Sequence, residues 1–196
     1  MRLDHSLISE WITAKSRVLD LGCGDGTLLA ALRDRKQTDG LGIEIDHQGF
    51  QGCIERGINV VEQDLNEGLK NFADQSFDMV IMAQALQTLR YPDQAIDEML
   101  RVGRECIVTF PNFGNWHSRL YLSLFGKMPV SKFLPYTWYD TPNIHFCTVA
   151  DFDALCASKK IRVLRREFIS GGMLDKLLAP LWPNLFAISA VYHIAR

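Results

Sequence analysis

The chain has 196 residues, of which 22% are charged, and a formal net charge of −2. That length suits one domain, large enough to bury roughly 70% of its unfolded surface, and the near-neutral charge gives no electrostatic footprint for nucleic acid. The five cysteines form no C-x-x-C pair and are odd in number, which argues against a disulfide framework or a zinc site.

Arg2, Asp4, His5 and Glu10 are scattered among apolar residues at the N-terminus, unlike the charged, apolar and small-residue blocks of a signal peptide. A cytoplasmic location with reduced thiols is expected. Val18-Leu19-Asp20-Leu21 then reads as a short buried strand, and Leu28, Leu29 and Leu32 give the apolar stripe of a following helix. Between them, Gly22, Gly24 and Gly26 remove the Cβ wall from one side of a turn, as a backbone needs when it lies against a ligand.

The spacing selects the ligand class. A dinucleotide fingerprint is G-x-G-x-x-G with a pyrophosphate at the helix N-terminus. Here the third glycine comes one residue early, and Asp20 closes the strand, where it repels a pyrophosphate and welcomes a cationic amine. A glycine run alone also fits a purely structural turn.

Gly40 to Glu44 is a second strand, and Glu44 lies about 20 residues beyond the glycine loop, the offset of a ribose-hydroxyl ligand. Its carboxylate can accept from both vicinal hydroxyls in charge-assisted bonds. Asp46 suits a helix N-cap instead. A third strand, Ile58 to Glu62, leads to Gln63-Asp64-Leu65, where Asp64 is either a ligand group or an ordinary turn carboxylate.

Phe77 to Met82 makes a fourth strand ending at Ala83, Pro92 opens a helix that Gly103 stops, and Cys106 to Phe110 is a fifth strand ending at Pro111. A helix from Val149 to Ser158, a strand Ile161 to Leu164 and a closing strand Leu185 to Ile194 follow. Met173 to Tyr192 is broken by Asp175, Lys176, Pro180 and Pro183, so it fails as a membrane span and suits a helix plus the final strand. Alternating strands and helices predict an α/β fold with a parallel, doubly wound sheet, whose ligand site lies at the strands' carboxyl ends. Gly22, Glu44, Asp64 and Ala83 are all placed there.

The glycine motif resembles the D-x-G-x-G-x-G signature of class I S-adenosylmethionine-dependent methyltransferases. That resemblance implies a Rossmann-like sheet with an antiparallel last strand. It implies S-adenosylmethionine or S-adenosylhomocysteine as the ligand, held by Asp20, Gly22, Gly24, Gly26, Glu44, Asp64, Leu65 and Ala83. Asp64 and the Leu65 N–H would serve the adenine.

The acceptor half is less informative. Ala83-Gln84-Ala85-Leu86-Gln87 lacks the motif of enzymes that methylate nucleic-acid amino groups, and Gln87 stands where small-molecule methyltransferases often carry histidine. Glutamine takes no proton at neutral pH, so proximity and orientation are what remain for a transfer. No catalytic residue is assigned; His117 and His145 are the histidines nearest the expected cleft.

Residues 111–147 are expected to cover that cleft. Trp116, Leu120 and Leu124 recur at helical spacing, a pattern more often core than surface, while Tyr136, Trp138, Tyr139, Asp140 and His145 suit a pocket, an interface or simple loop packing.

Together the glycine motif, Gln84 to Gln87, Phe110-Pro111-Asn112-Phe113-Gly114 with Trp116, and Leu134 to His145 resemble the methionine-biosynthesis MetW family over essentially the whole chain. The resemblance implies a bacterial protein acting beside a homoserine O-acyltransferase. Two functions follow as expectations: an adenosylmethionine-binding subunit that regulates the acyltransferase, or an active methyltransferase for a small-molecule acceptor. A nucleotide-dependent oxidoreductase is disfavoured by the early third glycine, and no G-x-S-x-G elbow marks the chain as the acyltransferase itself.

Overall fold

The sheet is seven-stranded. In a computed structural model describing residues 3–131 and 134–196, the strands are β1 (Arg17–Leu21), β2 (Asp39–Glu44), β3 (Asn59–Glu62), β4 (Phe77–Ala83), β5 (Gly103–Pro111), β6 (Arg162–Ile169) and β7 (Ser189–Ala195). Their spatial order is β3-β2-β1-β4-β5-β7-β6. The first five are parallel, and β7 runs antiparallel to both β5 and β6. The order reverses beside β1, where β2 leads outward on one side and β4 on the other. Arg2 and residues 132–133 of the 111–147 segment lie outside the described residues.

Helices cover both faces, as the apolar runs of the strands require. The helices around the glycine loop are α1 (Leu3–Trp11), α2 (Thr27–Lys36) and α3 (His47–Glu55); beyond β4 come α4 (Pro92–Val102), α5 (Trp116–Phe125), α6 (Val149–Ser158), α7 (Met173–Leu178) and α8 (Pro183–Phe186). Successive strand residues point to opposite faces, so β4 divides itself between two cores. Met79 and Ile81 join Ile107 and Val191 under Ile8 of α1 and Ile12 just after it, Leu28, Leu29 and Leu32 of α2, and Cys53 of α3. Val80 and Met82 join Val108, Phe110 and Tyr192 under Ile96, Met99 and Leu100 of α4 and Phe152 and Cys156 of α6.

One helix end falls where the sequence sets it, and three local expectations change. Gly103 stops α4 after Val102 as its C-cap and is itself the first residue of β5. A Cβ on Gly103 would lie 2.6 Å from Val80 Cγ2, so a side chain has no room at this join. The sixth strand extends to Ile169 through a register shift between Val163 and Arg165.

The closing strand begins at Ser189, because Pro183 opens the short helix α8 and the buried Asn112 amide donates to the carbonyls of Asn184 at 3.1 Å and Ala187 at 2.8 Å. Finally, the stripe Trp116, Leu120, Leu124 is not core. No residue of α5 is buried, and Leu124 is 66% exposed. Helical periodicity reports a face, not what covers it.

Candidate functional site

The carboxyl ends of four neighbouring strands assemble the sequence-predicted residues. Along that edge, in the order β3, β2, β1, β4, stand Asp64, Glu44, the glycine loop from Gly22 to Gly26, and Ala83. Residues 44 positions apart in the chain are brought together by parallel pairing of β1 with β2 and of β2 with β3, which sets Leu21 opposite Ile43 and Glu44 opposite Glu62.

Within the loop, Gly22, Gly24 and Gly26 have φ of 72°, 55° and 74°, a left-handed conformation that costs other residues roughly 1–2 kcal/mol each. The Gly22 and Cys23 N–H groups both donate to Ile43 O, at 2.8 and 3.1 Å, tying the loop to the end of β2. A Cβ at Gly24 would meet nothing within 4 Å, so the loop presents open space on that side. Asp25 turns outward. Its carboxylate accepts from the Thr27 hydroxyl at 2.7 Å and pairs with Arg56 at 2.8 Å; the Thr27 bond, above all, holds its carboxyl below the usual range.

A cleft of about 330 Å³ opens on the loop, lined by Asp20, Gly22, Cys23, Gly24, Thr27 and Ala83, with His5 of α1 on its border. Asp20 is 2% exposed. None of the lining residues belongs to 111–147. His5 was missed in the sequence because an isolated histidine in an amphipathic N-terminal segment carries no spacing signal.

Glu44 is more heavily engaged than its sequence position suggests. Oε1 accepts from the Ile45 and Asp46 N–H groups, both at 2.8 Å, and Oε2 accepts from Gly24 N–H at 2.7 Å. A carboxylate has about four acceptor sites, so three are in use. Asp46 behaves as a helix N-cap, accepting from Gly49 N–H at 2.8 Å. Asp64 opens a 3-10 turn, Leu65–Glu67, and its Oδ1 accepts from the Asn66 N–H and side-chain amide at 2.9 and 2.8 Å. Ile45, directly after Glu44, is 59% exposed at the same strand end.

After β4 the chain turns through Gln84 at φ 62°. Its side-chain amide donates to Thr109 Oγ1 at 3.2 Å and Ser189 Oγ at 2.9 Å, fixing this conformation against β5 and β7. Gln87 is buried; its side-chain amide N–H donates to Gln84 O at 2.7 Å, its side-chain Oε1 has no hydrogen-bond partner among the described residues, and its backbone carbonyl accepts from the Ile144 and His145 N–H groups at 2.9 and 3.0 Å. It thereby ties the end of the 111–147 segment to the end of β4.

His117 stacks on Trp116 with ring centroids 3.6 Å apart, and the His145 ring lies 3.4 Å from Arg90 O; neither lines the Asp20 cleft. His193, which has no evident partner in the sequence, sits 2.6 Å from Glu105 across the β5–β7 pair.

All five cysteines are free. Cys23 and Cys53 lie with sulfurs 3.6 Å apart beneath the loop, and burial pushes both thiols up, away from the thiolate. Among the described residues no group of His, Cys, Asp and Glu is arranged to hold a metal ion, and no helix is long and apolar enough to cross a membrane.

This sheet order, the antiparallel β7 and the left-handed glycine loop beneath a row of carboxylates define the class I methyltransferase fold. Solved structures agree. A SAM dependent methyltransferase from Archaeoglobus fulgidus superposes with a TM-score of 0.70 at 16% identity, over 98% of this chain and 94% of that one. The [4+2]-cyclase SpnF superposes at 0.67 with 18% identity, over 98% and 80%. At such identities the likeness is one of fold.

The family follows from sequence. The chain belongs to the methionine biosynthesis protein MetW family, whose model matches residues 2–194. It is also 36% identical over 205 residues to a bifunctional methionine biosynthesis protein MetXA/MetW from Rhodopirellula baltica. That alignment takes in 100% of this chain but 33% of the relative, so the chain spans about a third of the length of the curated protein it matches.

Proposed function

We propose that the protein binds S-adenosylmethionine or S-adenosylhomocysteine at this strand edge and, by association, regulates a homoserine O-acyltransferase in methionine synthesis without itself transferring a methyl group. The observation that carries the reading is an imbalance within one site: a left-handed glycine loop and a row of carboxylates at the strand ends, beside an acceptor side where Gln87 can take no proton at neutral pH.

The residues fit the ligand. Asp20 offers a buried carboxylate to the ligand's ammonium group, the open side of Gly24 admits its amino-acid portion, and Glu44 and Asp64 stand in line toward the ribose and adenine. Leu65 and Ala83 complete the set by position. Ribose binding has a definite consequence here. To accept from both vicinal hydroxyls, Glu44 must give up one of its three N–H donors, and the Gly24 bond is the one facing the cleft. When bound, adenosylmethionine supplies an electrophilic methyl group; the residues of this chain supply position and exclusion of water.

Nothing comparable serves a methyl acceptor. Gln87, where a base would be useful, takes no proton at neutral pH; its side-chain amide N–H is spent on Gln84 O and its backbone carbonyl on Ile144 and His145, while its Oε1 is buried without a hydrogen-bond partner among the described residues. The fold does not decide the chemistry, since it also carries a protein named as a cyclase. Association with an acyltransferase is supported by the bifunctional relative, which places the MetXA and MetW names on one polypeptide. That residues 111–147 cover the site belongs to this proposal as well, on the acceptor side beyond Ala83, where Ile144 and His145 are anchored on the Gln87 backbone carbonyl, and not over the Asp20 cleft, which none of its described residues lines. An active methyltransferase for a small-molecule acceptor is the second reading, favoured by the intact ligand edge.

The test is the acyltransferase reaction measured with and without this protein, each with and without S-adenosylmethionine. A rate that changes on adding the protein, and changes again with the ligand, supports regulation. An unaffected acyltransferase rate, with methyl transfer to a small acceptor, establishes the second reading instead.

A further inference from the structure

Helix α7 is amphipathic with its faces inverted. Its polar residue Asp175 points inward, buried, where Oδ1 accepts from Trp116 Nε1 at 3.1 Å and Oδ2 from Gly172 N–H at 3.3 Å. Its apolar residues point out. Met173, Leu174 and Leu177 are 91, 67 and 72% exposed, and Leu181 and Trp182, in the turn leading to α8, are 69 and 60% exposed. Scattered exposed leucines are ordinary, but five large apolar side chains within ten residues form a patch of the kind that marks an interaction surface. The Asp175 anchor fixes that orientation, so the apolar face is held outward by the fold.

The inward side of α7 is a different environment. There Asp175 borders a cavity of about 540 Å³ shared with Tyr121 of α5, Val130 and Leu134. None of Met173, Leu174, Leu177, Leu181 and Trp182 lines it. Charge is sparse: between residues 173 and 182 the exposed charged side chain is Lys176. A membrane-surface helix carries several Lys or Arg on a strongly charged polar face. Six residues with one lysine instead suit an apolar protein surface.

We infer that the outward face of Met173, Leu174, Leu177, Leu181 and Trp182 is the surface on which the homoserine O-acyltransferase docks. This rests on the partner reading given above. The occupant is argued from the bifunctional relative, whose remaining two thirds of chain accompany a unit equivalent to this entire one. Two units held in one polypeptide meet at high effective concentration, and the α7 face, with Lys176 as its exposed charge, is an apolar area this unit offers for the meeting.

The test compares the full chain with its L174E/L177E variant in binding to purified homoserine O-acyltransferase. Both leucines face solvent, so far-UV circular dichroism and melting temperature should be unchanged, as should S-adenosylmethionine affinity. Loss of interface anchors predicts association weakened by about 30-fold or more. A milder M173Q/L177Q variant, expected to weaken association about fivefold, keeps the measurement decisive if the charged variant misfolds.

A folded variant with wild-type association overturns the docking surface and leaves the partner reading standing. Absence of association by the wild type removes the partner reading and the surface with it. Sedimentation showing a wild-type dimer that the variant dissociates, with acyltransferase binding unchanged, assigns the face to a second copy and overturns the inference. So does wild-type binding to phosphatidylcholine vesicles that the variant alone loses.

Discussion

Glu44 accepts the backbone N–H of Gly24 at 2.7 Å, joining the carboxylate at the end of β2 to the centre of the glycine loop at the end of β1. The bond ties the loop conformation to the Glu44 carboxylate. In the proposed ligand reading, a ribose hydroxyl reaching that oxygen would compete with the Gly24 N–H.

Glu44→Ala should therefore weaken S-adenosylmethionine binding about 10- to 100-fold, since hydrogen bonds to a charged group contribute roughly 1.5–3 kcal/mol and water recovers part of that. Asp46→Ala removes the α3 cap, costing about 1 kcal/mol of stability, and should leave affinity unchanged. Isothermal titration and thermal denaturation separate the two. For the wild type, ligand at about 100 times its dissociation constant should add roughly 2.7 kcal/mol. A melting temperature that responds to NAD and not to S-adenosylmethionine would reject the ligand assignment.

Two glycines in the same loop should differ. Gly24→Ala meets open space and carries only the left-handed backbone cost, about 1–2 kcal/mol. Gly26→Ala carries the same cost and also places its Cβ 2.9 Å from Cys53 Sγ and 3.4 Å from the Cys53 backbone, adding about 1–3 kcal/mol of overpacking. Urea unfolding should rank Gly26→Ala as the less stable. Gly24→Ala should lose ligand affinity out of proportion to its stability, because Gly24 lines the cleft.

Away from the site, Arg101 ties Glu98 of its own helix to the loop before β4, donating to Glu98 at 2.9 Å and to Phe72 O and Leu69 O, both at 2.9 Å. The Arg101 bond is the main cause holding the Glu98 carboxyl below its ordinary value of 4.5. A depressed folded value stabilises the protein above the unfolded pKa, and the contribution fades as pH falls through the folded one. Stability should therefore drop as pH is lowered below about 4.5, and Glu98→Gln should flatten that part of the profile. Superimposable acid profiles for the two proteins would show that Glu98 contributes nothing.

How much could be read in advance depended on the range of the interactions. The glycine loop, the four parallel strand ends and the Asp46 cap were legible because each rests on neighbouring residues: positive φ needs glycine, a buried strand needs an apolar run, and a cap needs an Asx just before its helix. The late start of β7 was not, since the amide of the distant Asn112 decides it. The same holds at the site. The sequence by itself determined which carboxylates could face an adenosyl ligand, through offsets along the chain.

Only the tertiary structure decided that Glu44 is already bound to Gly24, that His5 borders the cleft, and that the helical stripes of α5 and α7 point to solvent. Periodicity separates one side of a helix from the other, but the direction each side faces is set by what the rest of the chain packs against it. For α7 that is the indole N–H of Trp116, 59 residues away, which holds Asp175 inside and leaves the leucines out.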